Sequence, residues 1–381
     1  MPPKKKISDN ERFAIILAGG KGERFWPLSR ESSPKQLLAL FSKKSFLQNT
    51  YERIKPLVPI KNIFVITSES QVAAIRKQLS KIPKDNVIGE PCGRDTCAAI
   101  TLASALVGAR TTTGVMAILP SDHLIPAKSE KKFQTILEES YDLASRGQAI
   151  VTIGIKPTAP ETGYGYIQMG DRLPAPKDCK AYKSAFHVAH RFAEKPHFDK
   201  AVHFVNSGDY RWNAGMFVFS FATIIESLLK HQKQLHEACE RWFNLANSPL
   251  KLKRALAKDY PDLKKVSFDY GVMEHAQNVL VADGEFEWDD LGAWPAMARH
   301  LNSDPEGNCI DADFIHVDAA RNVIFDTRAK KKRTTIAVVG LRDCVIVQTD
   351  DATLVAHKRQ AQKVRELVGK LATSQAHKRL V

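Results

Sequence analysis

Long apolar runs are missing from this chain, and cysteine is scarce. Six cysteines (Cys92, Cys97, Cys179, Cys239, Cys309, Cys344) are scattered over 381 residues. None forms a C-x-x-C pair and none shares a zinc-like spacing with histidine, so neither a disulfide framework nor a structural zinc site is expected. Reduced thiols in a cytoplasmic protein are the economical reading. No apolar stretch approaches the roughly 20 residues of a membrane-spanning helix, so no membrane partner is expected. The segment 7–12 behind the basic N-terminus is polar, which argues against a secretory leader. Negative charge is also short: 42 acidic against 56 basic residues leave a formal net charge of +14. Such a surplus raises nucleic acid as a partner. The basic residues, however, are spread along the chain. The densest runs, 4–6 and 330–333, read as a solvated tail and a loop, with a weaker run at 357–359. No nucleic-acid role is expected, and anionic substrates account for part of the charge.

What is present is globular in composition, with 44% hydrophobic and 26% charged residues. The length suits one large α/β domain with a smaller appendage. Apolar runs at 13–17, 62–67, 86–90, 115–120 and 149–155 read as buried strands. Helical patterns at 45–55, 70–79, 95–108 and 130–146 lie between them. This alternation predicts a Rossmann-like, mostly parallel sheet flanked by helices, with ligands at the carboxyl ends of its strands. The middle is expected to hold a strand at 185–192, a loop at 206–215, a strand at 216–220 and helices across 224–257. Short apolar segments at 314–317, 322–325, 335–339, 344–348 and 353–356 predict a small C-terminal β domain. A terminal helix at 360–371 should dock on it through Val364, Leu367, Val368 and Leu371. The expected organisation is a basic tail (1–12), a catalytic domain (13–302) and the β domain (303–381).

The first strand breaks into Ala18-Gly-Gly-Lys-Gly-Glu-Arg-Phe-Trp-Pro-Leu-Ser29, followed by Pro34-Lys35. Glycines here allow a sharp turn and a close backbone approach to a ligand. Freed N–H groups can cradle phosphate oxygens, and Lys21, Arg24 and Lys35 supply positive charge. The spacing is neither a P-loop nor a G-x-G-x-x-G fingerprint. By itself the cluster also fits a tight turn with solvated basic residues.

Other acids and amides fall at strand ends. Asp122, in Leu119-Pro-Ser-Asp-His123, can hold Mg²⁺ against phosphate oxygens. Asp289 and Asp290, in Phe286-Glu-Trp-Asp-Asp-Leu-Gly-Ala-Trp294, offer a second carboxylate on a tight turn. His123 reads as a side chain bonded to the strand end. Glu161-Thr-Gly-Tyr-Gly-Tyr166 alternates small and aromatic residues against a polyhydroxylated ligand, or simply as a hairpin. Lys195, in Glu194-Lys-Pro196, can bind a phosphate as a point charge. Trp212-Asn-Ala-Gly-Met-Phe217 adds an amide suited to sugar hydroxyls.

Taken in order, these stretches resemble the sugar-phosphate nucleotidyltransferases, and most closely the bacterial mannose-1-phosphate guanylyltransferases. Glu90-Pro-Cys-Gly-Arg-Asp-Thr96 and Phe268-Asp-Tyr-Gly-Val-Met-Glu274 extend the match across residues 13–360. The resemblance implies GMP transfer from GTP to α-D-mannose 1-phosphate with release of pyrophosphate, and Mg²⁺ as cofactor. It implies a catalytic set of Arg24, Lys35, Asp122 and Asp290, with the two aspartates as metal ligands. Leu17, Ala18, Gly19, Gly20, Lys21, Gly22, Glu90, Arg94, Thr96 and Ser121 would bind the nucleotide. Gly163, Tyr164, Gly165, Tyr166, Glu194, Lys195, Asn213 and Gly215 would bind the sugar phosphate. A left-handed β-helix-like C-terminal domain, and a homodimer through it, are implied as well. Because the chain ends near Val381, the family's cupin-like isomerase extension is not expected. Three departures stand out: Asp95 where the family usually has Asn, Cys97 where a small residue is common, and His275 where Lys is usual. They leave open another sugar (a manno-configured heptose or a deoxy sugar), another nucleotide, or a catalytically silent regulator that binds the product.

Overall fold

The structure, a computed structural model, describes residues 7–174 and 181–381. The Lys4–Lys6 end of the expected tail and Cys179 lie outside the described residues. The chain packs as two compact units, one of residues 1–19 and 47–289 and the other of 20–46 and 290–381.

The first unit is built on a nine-stranded sheet. Its strands are β1 (Arg12–Ala18), β2 (Ile63–Ser68), β3 (Val87–Glu90), β4 (Val115–Pro120), β5 (Ile150–Ile155), β6 (Tyr166–Arg172), β7 (Phe186–Ala193), β8 (Tyr210–Ser220) and β9 (Val279–Gly284). They lie in the order β3-β2-β1-β4-β8-β5-β9-β7-β6. One half, β3-β2-β1-β4, is parallel. In the other half β8 runs antiparallel to β4, β5 and β6, while β5 and β9 pair in parallel. The parallel strands carry continuous apolar runs because both faces are covered.

Helices α1 (Phe46–Ile54), α2 (Val72–Gln78), α3 (Asp95–Gly108) and α4 (Glu130–Arg146) follow the early strands. Alanine-rich α3 is buried all round from Cys97 to Gly108. Its small side chains permit that closeness: a Cβ on Gly108 would meet the Phe221 ring at 2.3 Å. On α4, Phe133, Ile136, Leu137, Tyr141 and Ala144 form the buried stripe, and Tyr141 Oη donates to Phe13 O at 2.6 Å. Each fully buried aliphatic or aromatic side chain of this kind stabilises by about 1.5–3 kcal/mol relative to exposure. Helices α5 (Phe198–Ser207), α6 (Phe221–His231), α7 (Lys233–Leu245) and α8 (Pro249–Asp259) complete the unit.

The loop expected over 206–215 is not a loop. Its first residues end α5, which Gly208 closes at φ 77°, and β8 already begins at Tyr210. Trp212 and Asn213 look like loop residues by composition, yet they pair with Ile155 and Gly154 of β5. The glycine opposite Asn213 serves the ladder: a Cβ on Gly154 would meet Val281 Cγ1 at 2.7 Å and Arg211 Cβ at 2.8 Å. A register shift between Thr152 and Gly154, together with Gly215 at φ 63°, lets the strand bend there.

The second unit is a stack of short rungs. Strands β10 (Cys309–Asp311), β12 (Val323–Asp326) and β14 (Cys344–Gln348) pair in parallel, and β15 (Thr353–His357) closes the sheet antiparallel. Strands β11 (Phe314–Val317) and β13 (Ile336–Val339) form a second parallel pair. Successive turns of a β-helix give this pattern, and buried asparagines solve its corners. Asn308 Oδ1 accepts from Asn322 N and Nδ2, both at 3.0 Å, and Asn322 Oδ1 accepts from Cys344 N at 2.9 Å. Asn322 Nδ2 also donates to Leu341 O. The terminal helical segment opens as a 3₁₀ turn over Lys358–Lys363 before α9 (Val364–Thr373). Val364 and Val368 are buried as expected, whereas Leu367 is largely exposed.

Replacing Asn322 by Ala leaves the Cys344 N–H without its partner and removes one of the two donors to Asn308 Oδ1 in a buried corner. The expected cost is about 1–3 kcal/mol, read as a lower thermal midpoint for the second unit with the first unchanged. A midpoint equal to wild type would show that the asparagine ladder is not a support of these rungs.

Candidate active site

On the first unit the candidate nucleotide groups are delivered by adjacent strand ends. β1 pairs with β2 and β4 up to Ala18↔Thr67 and Leu17↔Pro120. Just past the ladder, Ser121 N donates to Leu17 O at 3.0 Å and Thr67 Oγ1 to Ala18 O at 2.9 Å. Gly19 follows, and a Cβ on it would lie 3.2 Å from Glu90 Oε2 at the end of β3. Leu17, Ala18, Gly19, Glu90 and Ser121 are therefore gathered at one edge. Glu90 is only 8% exposed, and its Oε1 has no hydrogen-bond partner. The hydroxyl of Tyr260, also without a partner in hydrogen-bond geometry, faces it. Burial pushes the Glu90 carboxyl up to about 7, with Tyr260 pulling against it and Asp95 adding to it.

Arg94 and Thr96 both bond to the segment that follows α8. Arg94 donates from Nε to Tyr260 O at 2.8 Å and from Nη2 to Pro261 O. Thr96 Oγ1 accepts from Phe268 N at 2.8 Å. Both residues pin the segment 260–268 behind Glu90. Asp95, at φ 67°, turns its carboxylate onto Thr96 N at 2.8 Å, at the positive end of α3.

The candidate sugar residues form a connected network around β6, β7 and β8. Tyr164 meets Trp212 and Trp288 with ring centroids at 5.0 and 5.6 Å. Trp288 Nε1 donates to His123 Nδ1 at 3.1 Å, so His123 is held by an indole and is not poised as a base. Gly165 must lack a side chain, because its Cβ would sit 2.5 Å from Glu194 Oε2. Gly165 O accepts from Asn213 N, and Tyr164 O from Lys195 N. Lys195, a non-glycine residue at φ 45°, places its ammonium 2.8 Å from Glu194 Oε1. Burial alone would lower the Lys195 pKa; the bond and charge of Glu194, with Tyr270 and Asp269 beyond, hold it above the ordinary lysine value. Gly163 is open, and Tyr166 is buried with its hydroxyl on Glu161 O.

One residue of this network carried no individual role in the sequence reading. Asp269 opens a single π-helical turn, Asp269–Met273, a form that recurs at functional sites. Its Oδ1 accepts from Asn213 Nδ2 at 2.7 Å. Asn213 Oδ1 in turn accepts from Thr152 Oγ1 and Gly215 N, both at 3.1 Å. The motif around it, Phe268-Asp-Tyr-Gly, was visible in sequence; its proximity to Glu194 was not.

The second unit carries the rest of the glycine stretch. Gly22 has φ 64°, and a Cβ there would meet Lys35 Cβ at 2.5 Å and Ser29 Oγ at 2.9 Å. Ser29 Oγ donates to Lys21 O and Gln36 Nε2 to Gly20 O, which fixes the loop from below. Phe25 and Trp26 are its anchors. Trp26 Nε1 donates to Leu380 O and Trp294 Nε1 to Trp26 O, each at 2.8 Å. Lys21 and Arg24 stay exposed, Lys21 within 3.7 Å of Glu31. Lys35 is 4% exposed: its Nζ donates to Asp290 O at 2.5 Å and lies over the Phe25 and Phe46 rings at 5.5 and 5.7 Å. Asp290 Oδ1 accepts from Gly292 N, an Asx turn that presents the half-buried carboxylate.

Asp122 lies half-buried two residues past β4. Leu124 and Asp289 exchange backbone bonds at 2.8 and 3.0 Å, one residue before Asp290. A different acidic group, Asp304, Glu306 and His316, gathers its ligand atoms within 4.8 Å on the second unit and includes neither predicted metal ligand. Among the described residues no helix is long and apolar enough to cross a membrane.

Glu90 generates a stability prediction. Its folded carboxyl keeps a proton that the unfolded chain loses near the ordinary value of 4.5, so stability falls as pH rises from about 4.5 to about 7 and stays lower above. Glu90→Gln removes that loss. The ligand-free variant should be more stable than wild type at pH 8 by on the order of 2 kcal/mol, and not at pH 4.5, by denaturant titration. Equal stabilities at both pH values would remove the charge burial from the account.

Comparison with known proteins gives the family. Residues 13–306 match the nucleotidyl transferase family, and 312–371 match the MannoseP isomerase/GMP-like beta-helix domain. The xanthan biosynthesis protein XanB of Xanthomonas campestris is 35% identical over 361 residues, 94% of this chain and 73% of that protein. A mannose-1-phosphate guanylyltransferase of Salmonella muenchen is 36% identical over 358 residues, covering 93% of this chain and 72% of its own length. The crystal structure described as mannose-1-phosphate geranyltransferase of Thermus thermophilus superposes with a TM-score of 0.80 at 34% identity, covering 95% of this chain and all of that one. This chain is a nucleotidyltransferase with an appended β-helix domain, and it belongs to the mannose-1-phosphate guanylyltransferase family.

Proposed function

We propose that the protein transfers GMP from GTP to α-D-mannose 1-phosphate, giving GDP-mannose and pyrophosphate. The observation that carries the choice of base is the Glu90 carboxylate, buried and without a partner at Oε1, beside Gly19. Above about pH 7 this carboxyl is ionised, and a carboxylate only accepts hydrogen bonds. Guanine presents two adjacent donors, N1–H and the N2 amino group, which match it. Adenine presents an acceptor at N1 and would leave the buried charge facing a lone pair.

A phosphate monoester oxygen is already a nucleophile at neutral pH, so no general base is required. The sugar phosphate oxygen attacks the α-phosphorus, and the bond from that phosphorus to the bridging oxygen of the β-phosphate breaks with pyrophosphate leaving. The obstacles are repulsion between anions and charge on the leaving group, and the chain answers them by position and charge. Arg24 and Lys21 would hold the triphosphate together with the N–H groups of Gly19, Gly20 and Gly22. Lys35 would neutralise the α-phosphate while fixing the Asp290 turn through its carbonyl. Lys195 would exchange Glu194 for the sugar phosphate. Asp122 and Asp290 are hard oxygen donors, both half-buried, and fit Mg²⁺ by chemistry; when bound, the ion would offset phosphate charge.

Asp95, the family departure, is occupied at its own helix N-terminus, so it does not itself argue for a different base. The exposed apolar side chains Ile315, Val317 and Val339 line one face of the β11–β13 pair and suit a homodimer through the β-helix.

Two measurements test this. Purified protein with each of four nucleoside triphosphates and several sugar 1-phosphates should release pyrophosphate fastest with GTP and mannose 1-phosphate. Lys35→Ala and Asp122→Ala should each lose about 10²–10³ in turnover while remaining folded, and Glu90→Gln should lose its preference for GTP over ATP. Tight GDP-mannose binding without turnover would make the protein a regulator instead. Sedimentation equilibrium should give a dimer that Val339→Glu shifts toward monomer; a wild-type monomer at micromolar concentration would remove the dimer.

A further inference from the structure

The unit that carries the sugar residues holds two carboxylates and one ammonium in series. Lys195 is bonded to Glu194 at 2.8 Å, Glu194 packs on Gly165, and Asp269 is bonded to the Asn213 amide at 2.7 Å. Asn213 has no freedom left: its oxygen is taken by Thr152 Oγ1 and Gly215 N, so its amino group must face Asp269. In this ligand-free arrangement the single ammonium serves both acids. A sugar phosphate that claims Lys195 brings a dianion in and takes the counter-charge away from Glu194 and Asp269.

We propose that Asp269 is a positioning and proton-accepting residue of the sugar-phosphate pocket: it orients Asn213, and it takes up one proton from solvent when a sugar 1-phosphate draws Lys195 off Glu194. The protonated acid keeps its bond from Asn213 at Oδ1 and carries the new hydrogen on Oδ2. The inference rests on the sugar-phosphate reading of this pocket. Burial, and then the charge of Glu194, already push the Asp269 carboxyl up to about 7, with the Asn213 bond and Lys195 pulling against them. Loss of the Lys195 charge to the ligand pushes in the same direction.

The neighbours that could supply a competing titration are few. From the end of β7 they are Glu194 and Lys195, and Lys195 is held above the usual lysine range. From α3, Cys97 is pushed up to about 12, and Asp95 lies beyond it. From α6, His231 lies tilted against His275 with ring centroids 5.7 Å apart, and burial holds it below its ordinary value. Tyr270 adjoins on the same turn and is exposed. A ligand phosphate is fully dianionic above about pH 7.5, since its second pKa is near 6. Between pH 7.5 and 9 the carboxyl of Asp269 is therefore the group in this pocket whose protonation limits binding.

The test is a titration with mannose 1-phosphate alone, read by the fluorescence of Trp212 and Trp288, which flank Tyr164. Wild type should bind progressively more weakly from about pH 7.5 to about 9, approaching a tenfold rise in Kd per unit. Asp269→Asn keeps an acceptor for Asn213 but cannot titrate; it should bind with a flat profile and exceed wild type at pH 9. Asp269→Ala releases Asn213 and should raise Kd about tenfold or more at every pH. A wild-type profile as flat as that of Asp269→Asn, or wild-type affinity in Asp269→Ala, overturns the proposal. Lack of saturable binding by folded wild type overturns it too. Turnover without pH-dependent binding would sink this inference and leave the activity standing; pH-dependent binding without turnover would do the reverse.

Discussion

Parallel pairing of β1 with β2 on one side and β4 on the other is the constraint on which the first unit's chemistry depends. Parallel strands must all end on the same edge, and each must be followed by a crossover that returns on a face of the sheet. Once Ile15, Ile16 and their neighbours are buried in the centre of that ladder, the residues after Ala18, Ser68, Glu90 and Pro120 have to emerge together. Gly19, Glu90, Ser121 and Asp122 are near one another for that reason, although more than a hundred residues separate the first from the last. The Thr67 and Ser121 bonds to the Ala18 and Leu17 carbonyls finish this edge, so the glycine-rich backbone leaves the sheet from a fixed point.

The same edge holds charge at a cost. Glu90 and Asp269 are carboxyls in surroundings that favour their neutral forms, and each would be more stable as an amide in the empty protein. Their partners in the ligand-free state are incomplete or shared: a facing hydroxyl for Glu90, and for Asp269 its own backbone N–H, the Asn213 amide and a distant ammonium. Groups destabilised in this way gain most when a ligand supplies the missing donors, which turns a stability defect into binding selectivity. Lys195 in the left-handed region, on a chain that must also leave room for Glu194 against Gly165, belongs to the same pattern of local strain at a working site.

Much of this was legible in the sequence, for identifiable reasons. Buried parallel strands and fully buried α3 announce themselves as apolar runs with glycines at their ends, and the ordered series of motifs marked Glu90, Asp122, Glu194, Lys195 and Asn213. What failed was the segment 206–215, where Trp, Asn, Ala and Gly suggested a loop while tertiary pairing with β5 and β6 made a strand. Composition cannot reveal that this segment will pair with Gly154 of β5, where Val281 and Arg211 leave no room for a Cβ. Arg94 and Thr96 illustrate another limit. Their chemistry suits a nucleotide, yet their hydrogen bonds go to Tyr260, Pro261 and Phe268, and only coordinates say so. The domain boundary is a third case. Motifs are continuous in sequence, but the two compact units divide at Gly19–Gly20 and at Asp289–Asp290, inside two of the most informative stretches.

That division has a physical basis in what each half of a motif is made of. The residues up to Gly19 are strand, held by ladder hydrogen bonds in the sheet. Those beyond Gly20 are held by aromatic burial: Phe25 against Trp294 at 5.0 Å, Trp294 against Phe325 at 5.5 Å, and Trp26 bonded to the Leu380 carbonyl. The short C-terminal unit has few large apolar side chains of its own, and β-helix rungs of four or five residues bury little each. Phe25, Trp26 and Trp294 supply much of the aromatic core it lacks. A loop so anchored needs no packing beneath Gly20, Lys21 and Arg24 themselves, which stay exposed while the residues on either side carry the folding energy. The Phe-Trp-Pro of the signature is thus explained without any contact to a ligand: it is there to seat the loop.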